Sequence, residues 1–556
     1  MLKKTLLSIA LAATGVGASA QQPPTGGSQI QQNPPPRVEP RPAPGIRIEQ
    51  STVPTPPGSD QTRILVNTLH ITGQALYPEA ELLALTGFNP GSQLTLADMQ
   101  AMAAKIADFY RSKGYFAAQA YLPAQDIQAG SVTIAVLEGH YGKVVLRNES
   151  KLADPIALGL LAGLNSGDTI AIAPLEERLL LLSDIPGVVV RSTLVPGASV
   201  GASDLIVDVV PGRPVTGSID ADNHGNRYTG EYRLGATVNI NNPTGRGDVV
   251  SLRGMVAQGL TFARASYQLP IGRAQVGVAY TALEYRLGRE FARLRAHGTA
   301  EIASIYASYP LIRSRNTNLY ALVDYDAKVF QDKIDSTVPP SVTDKRAGVL
   351  IASLYGDHRD LLGGGGRNSF SLTWSTGEID IRTPAARTAD SLTARSNGHY
   401  DKLSFAVARL QTLPGPFSLY GAIRGQVASK NLDISEKMEL GGANAVRAYP
   451  EGEAYADQGY VATLEARMLL PKLSERQTGE VQLVGFVDTG SVTINKNPWA
   501  PGQNTRTLSG AGVGLVWADY NNFIVRAYLA HKLGNAVATS APDANNRFWI
   551  QGVKYF

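Results

Sequence analysis

The stretch EYRLGATVNINN, residues 231–242, decides the fold class because its side chains alternate strictly between two kinds. The apolar set consists of Tyr232, Leu234, Ala236, Val238 and Ile240. The other set is mainly polar and consists of Arg233, Gly235, Thr237, Asn239 and Asn241. A period of two residues is that of a β-strand with one apolar and one polar face. About sixteen segments of this kind follow one another from residue 213 to the C-terminus.

Most of these segments have the length that a tilted strand needs to cross the hydrocarbon of a membrane, which is roughly ten residues. Strands can lie in lipid only when every backbone group is paired, as in a closed barrel. We therefore expect a mainly β fold, an antiparallel transmembrane β-barrel of about 16 strands over residues 213–556. A large soluble β-sandwich or propeller is the alternative. The N-terminal signal, the lack of cysteine, the even strand count and the aromatic last residue, Phe556, argue against it.

The N-terminus predicts export from the cytoplasm. Residues 1–20, MLKKTLLSIALAATGVGASA, place Lys3 and Lys4 before an apolar run that ends in small residues, which is typical of a cleavable signal peptide. The chain contains no cysteine, so we expect neither a lipid anchor on cysteine nor disulfide bonds. No later run reaches the length of about 18 uncharged apolar residues that a membrane helix requires.

The segment after the signal, residues 21–62, is rich in proline, glutamine and glycine. This composition offers little to bury, and it predicts a mobile linker. The formal net charge of the chain, +4, is small. No cluster of lysine and arginine with interleaved aromatic residues suggests a nucleic-acid partner.

Residues 63–139 and 140–212 predict two small α+β units that share one order of strands and helices. In the first unit, Thr95 and Asp98 have the spacing of a helix start, and Gly114 stands where that helix should end. The two units are only weakly similar in sequence, so the tandem repeat rests on the order of their elements. An even strand number returns both ends of the barrel to one side, and we place the linker and both units there, in the periplasm.

The same count of strands places residues 430–457 in the sixth outward-facing loop. This loop is too long for a hairpin turn, and long loops without secondary structure are usually functional. Its centre, GGANAVRAYPEG at residues 441–452, holds a lone arginine, Arg447, in an apolar setting.

A carboxylate that could bind Arg447 lies on a later strand. In VQLVGFVDTG, residues 481–490, the alternation places Phe486 and Asp488 on the face that would point into the barrel, away from lipid. A guanidinium can bind such a carboxylate through two hydrogen bonds. A solvated ion pair contributes only about 0 to 1 kcal/mol, so packing of Tyr449 and Phe486 must contribute as well. The alternative is that Arg447 is a surface arginine and Asp488 an ordinary charge of the lumen.

The loop reads Val446-Arg447-Ala448-Tyr449, and the strand reads Phe486-Val487-Asp488-Thr489-Gly490. With the signal, the two units and the barrel, these motifs resemble the outer-membrane transporters of two-partner secretion, the TpsB or ShlB/FhaC/HecB type of haemolysin secretion/activation protein. In that family a Val-Arg-Gly-Tyr motif of the sixth loop folds into the lumen and meets the aspartate of an inward Phe-x-Asp-x-Gly motif. The resemblance covers roughly residues 61–556 and implies that the two units are polypeptide-transport-associated (POTRA) domains. The contact that it implies would be made by Val446, Arg447, Tyr449, Phe486, Asp488 and Gly490.

The resemblance also implies a function. The protein would be a translocation pore that recognises an unfolded secreted exoprotein of the TpsA type, an adhesin or haemolysin, through its POTRA domains. It would pass this partner to the cell surface without ATP. It would be a monomer in the lipid of a Gram-negative outer membrane, inserted there by the barrel-assembly machinery. Two alternatives are an assembly factor that inserts other barrels, and a gated porin.

The residues themselves offer no sign of catalysis, so we expect no enzyme, no cofactor and no metal. The chain has neither a nucleotide-binding GxxxxGK[ST] motif nor a Gly-x-Ser-x-Gly elbow, and its 7 histidines are scattered. The glycine-rich stretch at residues 510–514 falls in a predicted strand, where small residues favour close packing over phosphate binding.

Two features depart from the family pattern. Ala448 stands where the family has glycine, which would strain the loop tip if that position required a positive φ angle. Family members can carry a helix that plugs the pore, but the proline content of residues 21–62 predicts no well-formed plug.

Overall fold

Two short elements lie in the segment that was predicted to be a linker. The computed structural model describes residues 23–32, 46–48 and 62–556, so the predicted signal peptide and much of the linker lie outside the described residues. The two elements are helix α1 (Gly26–Gln31) and strand β1 (Ile46–Ile48). The proline content predicted no well-formed plug, and the structure has a short helix of six residues there, because the prolines flank α1 instead of interrupting it and because α1 is buried inside the barrel.

The first α+β unit contains two helices packed on a small sheet. Its elements are β2 (Ile64–Val66), β3 (Thr68–Thr72), α2 (Glu79–Thr86), β4 (Ser92–Leu94), α3 (Leu96–Ser112), β5 (Gln119–Tyr121) and β6 (Ser131–Leu137). The sheet has the order β3-β6-β5, with β3 parallel and β5 antiparallel to β6, while β2 pairs with β4. Thr95 caps α3 as predicted, since its Oγ1 accepts a hydrogen bond from the N–H of Asp98 at 3.1 Å. Met99 and Ile106 of α3 are buried in the core of the unit.

The second unit repeats this plan and adds the strand from the N-terminal segment. Its own elements are β7 (His140–Asn148), α4 (Asp154–Leu161), α5 (Ile172–Ser183), β8 (Val188–Pro196) and β9 (Ala202–Pro211). The sheet has the order β1-β8-β9-β7. Strand β1 pairs in parallel with residues 192–194 of β8, so the chain covers one edge of this sheet with its own N-terminal segment.

Sixteen antiparallel strands form the closed barrel that the alternation predicted. The first eleven are β10 (Val215–Asp222), β11 (Arg233–Asn241), β12 (Val249–Ala257), β13 (Leu260–Ile271), β14 (Ala274–Arg286), β15 (Ala296–Arg313), β16 (Thr317–Ile334), β17 (Ser341–Asp360), β18 (Gly366–Ile381), β19 (Gly398–Thr412) and β20 (Phe417–Ala428). A two-stranded ribbon, β21 (Met438–Glu439) with β22 (Tyr455–Ala456), follows outside the barrel sheet. The last five barrel strands are β23 (Gln458–Leu469), β24 (Glu480–Thr493), β25 (Thr505–Asp519), β26 (Phe523–Lys532) and β27 (Asn546–Tyr555), and β27 closes the barrel on β10. The loops contain helix α6 (Pro384–Leu392) and the 3-10 helices Arg289–Leu294, Leu362–Gly364 and Ile434–Glu436.

The apolar face of the opening stretch points outward. Leu234, Val238 and Ile240 are exposed on the outside of the barrel, whereas Gly235 and Thr237 are buried on the inside. Outward side chains of a membrane barrel face lipid. The alternation therefore directs apolar residues to the hydrocarbon and polar residues to the lumen.

Ion pairs hold the second unit against the barrel. Arg313, at the end of β15, donates to Asp184 through Nε and Nη2, each at 2.8 Å. Two further pairs join Arg315 to Glu176 at 2.5 Å and Arg273 to Glu177. All three acidic residues lie in or just after α5, so this helix orients the second unit at the mouth of the barrel.

Candidate functional site: the loop inside the barrel

The loop between β20 and β23, residues 430–457, folds back into the barrel. The side chains of Val446, Ala448 and Tyr449 at its tip have no exposed surface. The tip contacts the inner wall of the barrel at β23, β24 and β25. We call residues 430–457 the inward-folded loop.

The structure brings together the two charged residues of the predicted contact. Arg447 Nε and Nη2 donate to Asp488 Oδ2 and Oδ1, each at 2.8 Å, and the backbone N–H of Arg447 donates to Oδ2 at 3.1 Å. Thr463 Oγ1 donates a further hydrogen bond to Asp488 Oδ1 at 2.9 Å. Asp488 is fully buried, and these four bonds satisfy both of its oxygens.

A second carboxylate, which the sequence interpretation missed, shares the same arginine. Arg447 Nη1 donates to Glu465 Oε1 at 2.8 Å, and Arg467 donates to Glu465 Oε2 through Nε at 2.9 Å and Nη2 at 2.6 Å. The positive and negative groups alternate, so each buried charge has a compensating partner. The polar alternation of β23 is visible in the sequence. Its register, which places Glu465 opposite Phe486 of β24, is not.

The contact is therefore not the solvated ion pair that the sequence suggested. The side chain of Arg447 is only 6% exposed and that of Asp488 is not exposed at all. Removing one partner of a buried pair costs about 3–5 kcal/mol because the other charge is left without compensation. Deletion of either charge should therefore disturb the tip of the loop more than loss of a solvated pair would.

Aromatic rings cover the guanidinium of Arg447. Its Cζ atom lies 3.5 Å from the ring centre of Phe486 and 5.0 Å from that of Tyr528. The two rings meet edge to face, with their centres 5.8 Å apart. Trp549 Nε1 donates a hydrogen bond to the carbonyl oxygen of Arg447 at 2.7 Å. The rings add cation–π attraction and exclude water from the ion pair.

Ala448 is not strained, because its φ angle is not among the positive ones of the described residues. Its methyl group instead occupies space left by a glycine: a Cβ built on Gly510 would lie 2.4 Å from the Cβ of Ala448. A Cβ on Gly512 would lie 2.5 Å from the ring of Phe486. The small residues of β25 thus permit close packing, as their place in a strand predicted.

The other residues of the predicted contact pack around it. Tyr449 is fully buried, and Lys532 Nζ lies 4.7 Å from its ring centre. The backbone N–H of Val446 donates to the carbonyl oxygen of Leu440 at 3.1 Å. Gly490 makes room for the side chain of Leu440, since a Cβ there would lie 2.6 Å from Leu440 Cδ1.

Glu453 ties the inward-folded loop to the loop between β26 and β27. Its carboxylate accepts five hydrogen bonds at 2.7–3.0 Å from the backbone N–H and hydroxyl groups of Thr539 and Ser540. It also pairs with Arg506 of β25, and its side chain is fully buried. The sequence interpretation missed this residue because its partners, which are backbone and hydroxyl groups of a distant loop and the guanidinium of Arg506, lie far from it in the sequence.

Helix α1 lies in the lumen beside the inward-folded loop. The backbone N–H of Gly26 donates to Asp332 Oδ1 of β16 at 2.9 Å. Just after the helix, Gln32 Nε2 donates to Tyr455 Oη at 2.7 Å and to Glu439 Oε1 at 3.3 Å. Together, α1 and the loop obstruct the channel.

Within the described ranges, no helix combines the length and apolar character that a membrane crossing requires. In the same part of the chain, no group of histidine and acidic side chains has the arrangement of a metal site.

Known proteins match this chain along most of its length. The family model of the haemolysin secretion/activation protein ShlB/FhaC/HecB matches residues 201–517, and that of the ShlB-type POTRA domain matches residues 64–139. The heme/hemopexin transporter protein HuxB of Haemophilus influenzae is 30% identical over 475 residues, which cover 84% of this chain and 82% of HuxB. The outer membrane transporter CdiB of Dickeya dadantii is 23% identical over 427 residues, 74% of this chain and 73% of CdiB. The solved structure of CdiB from Escherichia coli has a TM-score of 0.67 at 19% identity and covers 91% of this chain and 93% of that one.

The first family model spans more than half of the chain. Its members are outer-membrane barrels for the secretion of partner proteins, with POTRA domains in the periplasm, and they are not enzymes. The chain described here belongs to this family, the haemolysin secretion/activation proteins of the ShlB/FhaC/HecB type.

Proposed function

We propose that this protein recognises an unfolded partner exoprotein, of the adhesin or haemolysin class, through its POTRA domains and passes it through the barrel without ATP. The pairing of β1 with β8 is the observation that carries this proposal. It supports the view that the edge of the second POTRA sheet accepts an extended segment. Strand addition to a sheet edge uses backbone hydrogen bonds, so it suits a client that arrives as an unfolded chain.

The first POTRA domain offers further edges for the same client. In the described part of the chain, β3 and β5 each pair with β6 alone within their sheet. Tyr121 on β5 is exposed and could contact a side chain of an added strand. We assign the first contact with the client to β5, and later contacts to the β8 edge once β1 has left it.

Passage through the barrel requires α1 and the inward-folded loop to move, because both occupy the lumen. The chain carries no nucleotide-binding motif that could supply energy for this step. Folding of a client domain outside the cell releases about 5–15 kcal/mol, which makes passage directional if the client stays unfolded in the periplasm. The inward-folded loop, held at its tip by Arg447, Asp488 and Glu465, is the element that we assign to gating.

We assign a single chain to each pore, since β10 and β27 of the same chain close the barrel. The outward apolar residues are matched to outer-membrane lipid. Barrels of this kind require insertion, and we assign this step to the barrel-assembly machinery.

A deletion strain tests the proposed function. We expect one large secreted protein to disappear from the culture medium and the cell surface, as measured by quantitative mass spectrometry, and to return when the gene is supplied again. Loss of many outer-membrane barrels instead would support an assembly factor. An unchanged set of secreted proteins with altered uptake of small solutes would support a porin.

Proline substitutions test strand addition at β5. In an antiparallel ladder only every second N–H points away from the partner strand, so Ala120→Pro and Tyr121→Pro are both needed. We expect at least one of them to abolish secretion of the partner while the amount of folded barrel stays normal. Ala120→Ser keeps the N–H and is the matched control. Normal secretion by both proline variants would contradict recognition at this edge.

A further inference from the structure

The inward-folded loop has an attachment of its own near its beginning, away from Arg447. Lys328 and Lys402 bind the two carboxylate oxygens of Glu436 at 2.9 and 2.8 Å, and Lys345 binds Asp433 at 2.8 Å. We call these five residues the lysine seat. No motif in the sequence pointed to it, because the three lysines come from three different strands.

The charges of the lysine seat are shielded from water. Each of the five side chains is at most 15% exposed, and that of Glu436 is only 2% exposed. Burying a charge costs several kcal/mol unless an opposite charge and hydrogen bonds compensate for it. The attachment is therefore stable only as a complete set, and the loss of one lysine leaves a buried carboxylate with too few partners.

The lysine seat and the Arg447 contact occupy different sectors of the barrel wall. The lysines belong to β16, β17 and β19, whereas Asp488 and Glu465 belong to β24 and β23. The lysine seat and the Arg447 contact are thus two separate attachments, each with its own compensating charges, and the bonds of Glu453 to Arg506, Thr539 and Ser540 form a third.

Helix α1 rests on the lysine seat. A Cβ built on Gly27 would lie 2.7 Å from the Cβ of Ser435. Glycine at position 27 therefore allows the helix to approach this part of the loop closely. Gln31 Nε2 donates to the carbonyl oxygen of Ile434 at 3.1 Å. Residues 434 and 435 lie between the two carboxylates of the seat. The position of α1 therefore depends on where the lysines hold this part of the loop, together with its bonds to Asp332, Thr229 and Tyr455.

We propose that Lys328, Lys345 and Lys402 are positioning residues that keep α1 in the lumen, and that α1 can leave when their attachment breaks while the Arg447 contact stays intact. This role rests on the proposed transport function, since it describes the first step by which the pore would open. It divides the gate into two parts. The lysine seat retains the helix, and the Arg447 contact retains the loop tip.

Thiol labelling of the purified full-length protein in lipid nanodiscs tests this division without any client protein. The chain has no cysteine, so single reporters can be placed at two buried positions, Ser28→Cys on α1 and Val446→Cys at the loop tip. Each reporter is combined with Lys328→Gln and Lys402→Gln together. We expect maleimide labelling of the α1 reporter to accelerate at least about tenfold, equivalent to ~1.4 kcal/mol, and labelling of the tip reporter to stay unchanged.

Two further variants keep the test independent of misfolding. Lys333→Gln removes a lysine on the other face of β16 and should leave both labelling rates unchanged. Lys345→Gln should also accelerate labelling of α1, because it leaves the buried carboxylate of Asp433 without its ammonium partner. Heat-dependent mobility on gels checks that each barrel is folded.

The inference fails if the α1 reporter stays protected in the double lysine variant, or if both reporters become labelled together. Unchanged labelling of α1 in Lys345→Gln would also overturn it. None of these outcomes depends on secretion, so they are separate from the outcomes of the deletion experiment. A protein that secretes no partner could still show the two independent attachments.

Discussion

Ala448 of the inward-folded loop and Gly510 of β25 share one space, because a Cβ built on Gly510 would lie 2.4 Å from the Cβ of Ala448. The family pattern has glycine at position 448, and this chain has alanine. Its methyl group fits because Gly510 on the facing strand has no side chain. The two residues together set the distance between the loop tip and the wall. The departure from the family motif is thus matched by packing at a position far along the chain.

This relationship predicts a compensating pair of substitutions. Gly510→Ala should overpack the contact and destabilise the closed loop by about 1–3 kcal/mol. Ala448→Gly added to Gly510→Ala should recover most of the lost stability, because it removes one methyl group from the space into which Gly510→Ala adds one. Thermal unfolding in detergent and labelling of a Val446→Cys reporter would measure both effects. Equal destabilisation in the single and double variants would contradict direct packing.

Arg447→Lys should impair the protein although the positive charge is kept. Lysine cannot bind Asp488 through two parallel hydrogen bonds and Glu465 through a third. Breaking a buried pair costs about 3–5 kcal/mol, so we expect secretion of the partner to fall at least tenfold. Arg467→Lys is the control, because Arg467 is more exposed and binds Glu465 alone among the carboxylates of the contact. Immunoblots of culture medium would compare secretion by the two variants. Equal secretion would show that the paired hydrogen bonds of the Arg447 guanidinium are not needed.

Closure of the channel should weaken as the pH rises. Burial raises the pKa of Glu451 to about 7, and burial together with the charge of Glu451 raises the pKa of Glu439. Arg233 and Arg424 oppose the shift of Glu451 without cancelling it. A carboxyl with a raised pKa in the folded state stabilises that state below its ordinary value of 4.5 and loses this contribution as the pH rises through about 7. When both carboxyls are ionised, Glu439 and Glu451 repel each other, so the ribbon β21–β22 that Gln32 contacts should be held less firmly at pH 8 than at pH 5.5.

Single-channel recordings would measure this pH effect as open probability. We expect more frequent opening at the higher pH in the native protein and a flatter response in Glu451→Gln. The amide cannot ionise and keeps nearly the same shape. A native channel with the same open probability at both pH values would show that these carboxyls do not control α1.

Glu453→Ala should release the loop between β26 and β27. The backbone N–H groups of Thr539 and Ser540 would lose their acceptor, and buried donors without partners cost about 1–3 kcal/mol each. Hydrogen exchange of residues 533–545 should accelerate, as measured by mass spectrometry. Glu475→Ala, in an exposed turn, should leave this exchange unchanged. Persistent protection in the Glu453 variant would mean that other contacts hold this loop.

The sequence predicted the features that depend on local pattern. The alternation in residues 231–242 predicted the lipid-facing and lumen-facing sides of a strand, and the same alternation predicted that Asp488 points inward. Thr95 and Asp98 predicted the start of α3. These features can be predicted from a single sequence because each depends on residues that are only a few positions apart.

Features that depend on register or on an enclosed environment were missed. Glu465 binds Arg447 because β23 and β24 pair in one particular alignment, which neither strand specifies alone. Lys328, Lys345 and Lys402 converge on the loop from three strands. Helix α1 has six residues, fewer than an isolated helix needs for stability in water. Burial in the lumen supplies the stabilisation that its composition could not predict.

Because Leu234, Val238 and Ile240 point outward to lipid, the inward face of their strand is polar. Beside the apolar tip of the inward-folded loop, the obstruction contains many amide, carboxylate, ammonium and guanidinium groups, which water solvates well. Water and small ions can enter between these polar groups. We expect the obstruction to block a polypeptide while sodium and chloride ions pass, so that the closed protein has a small ionic conductance.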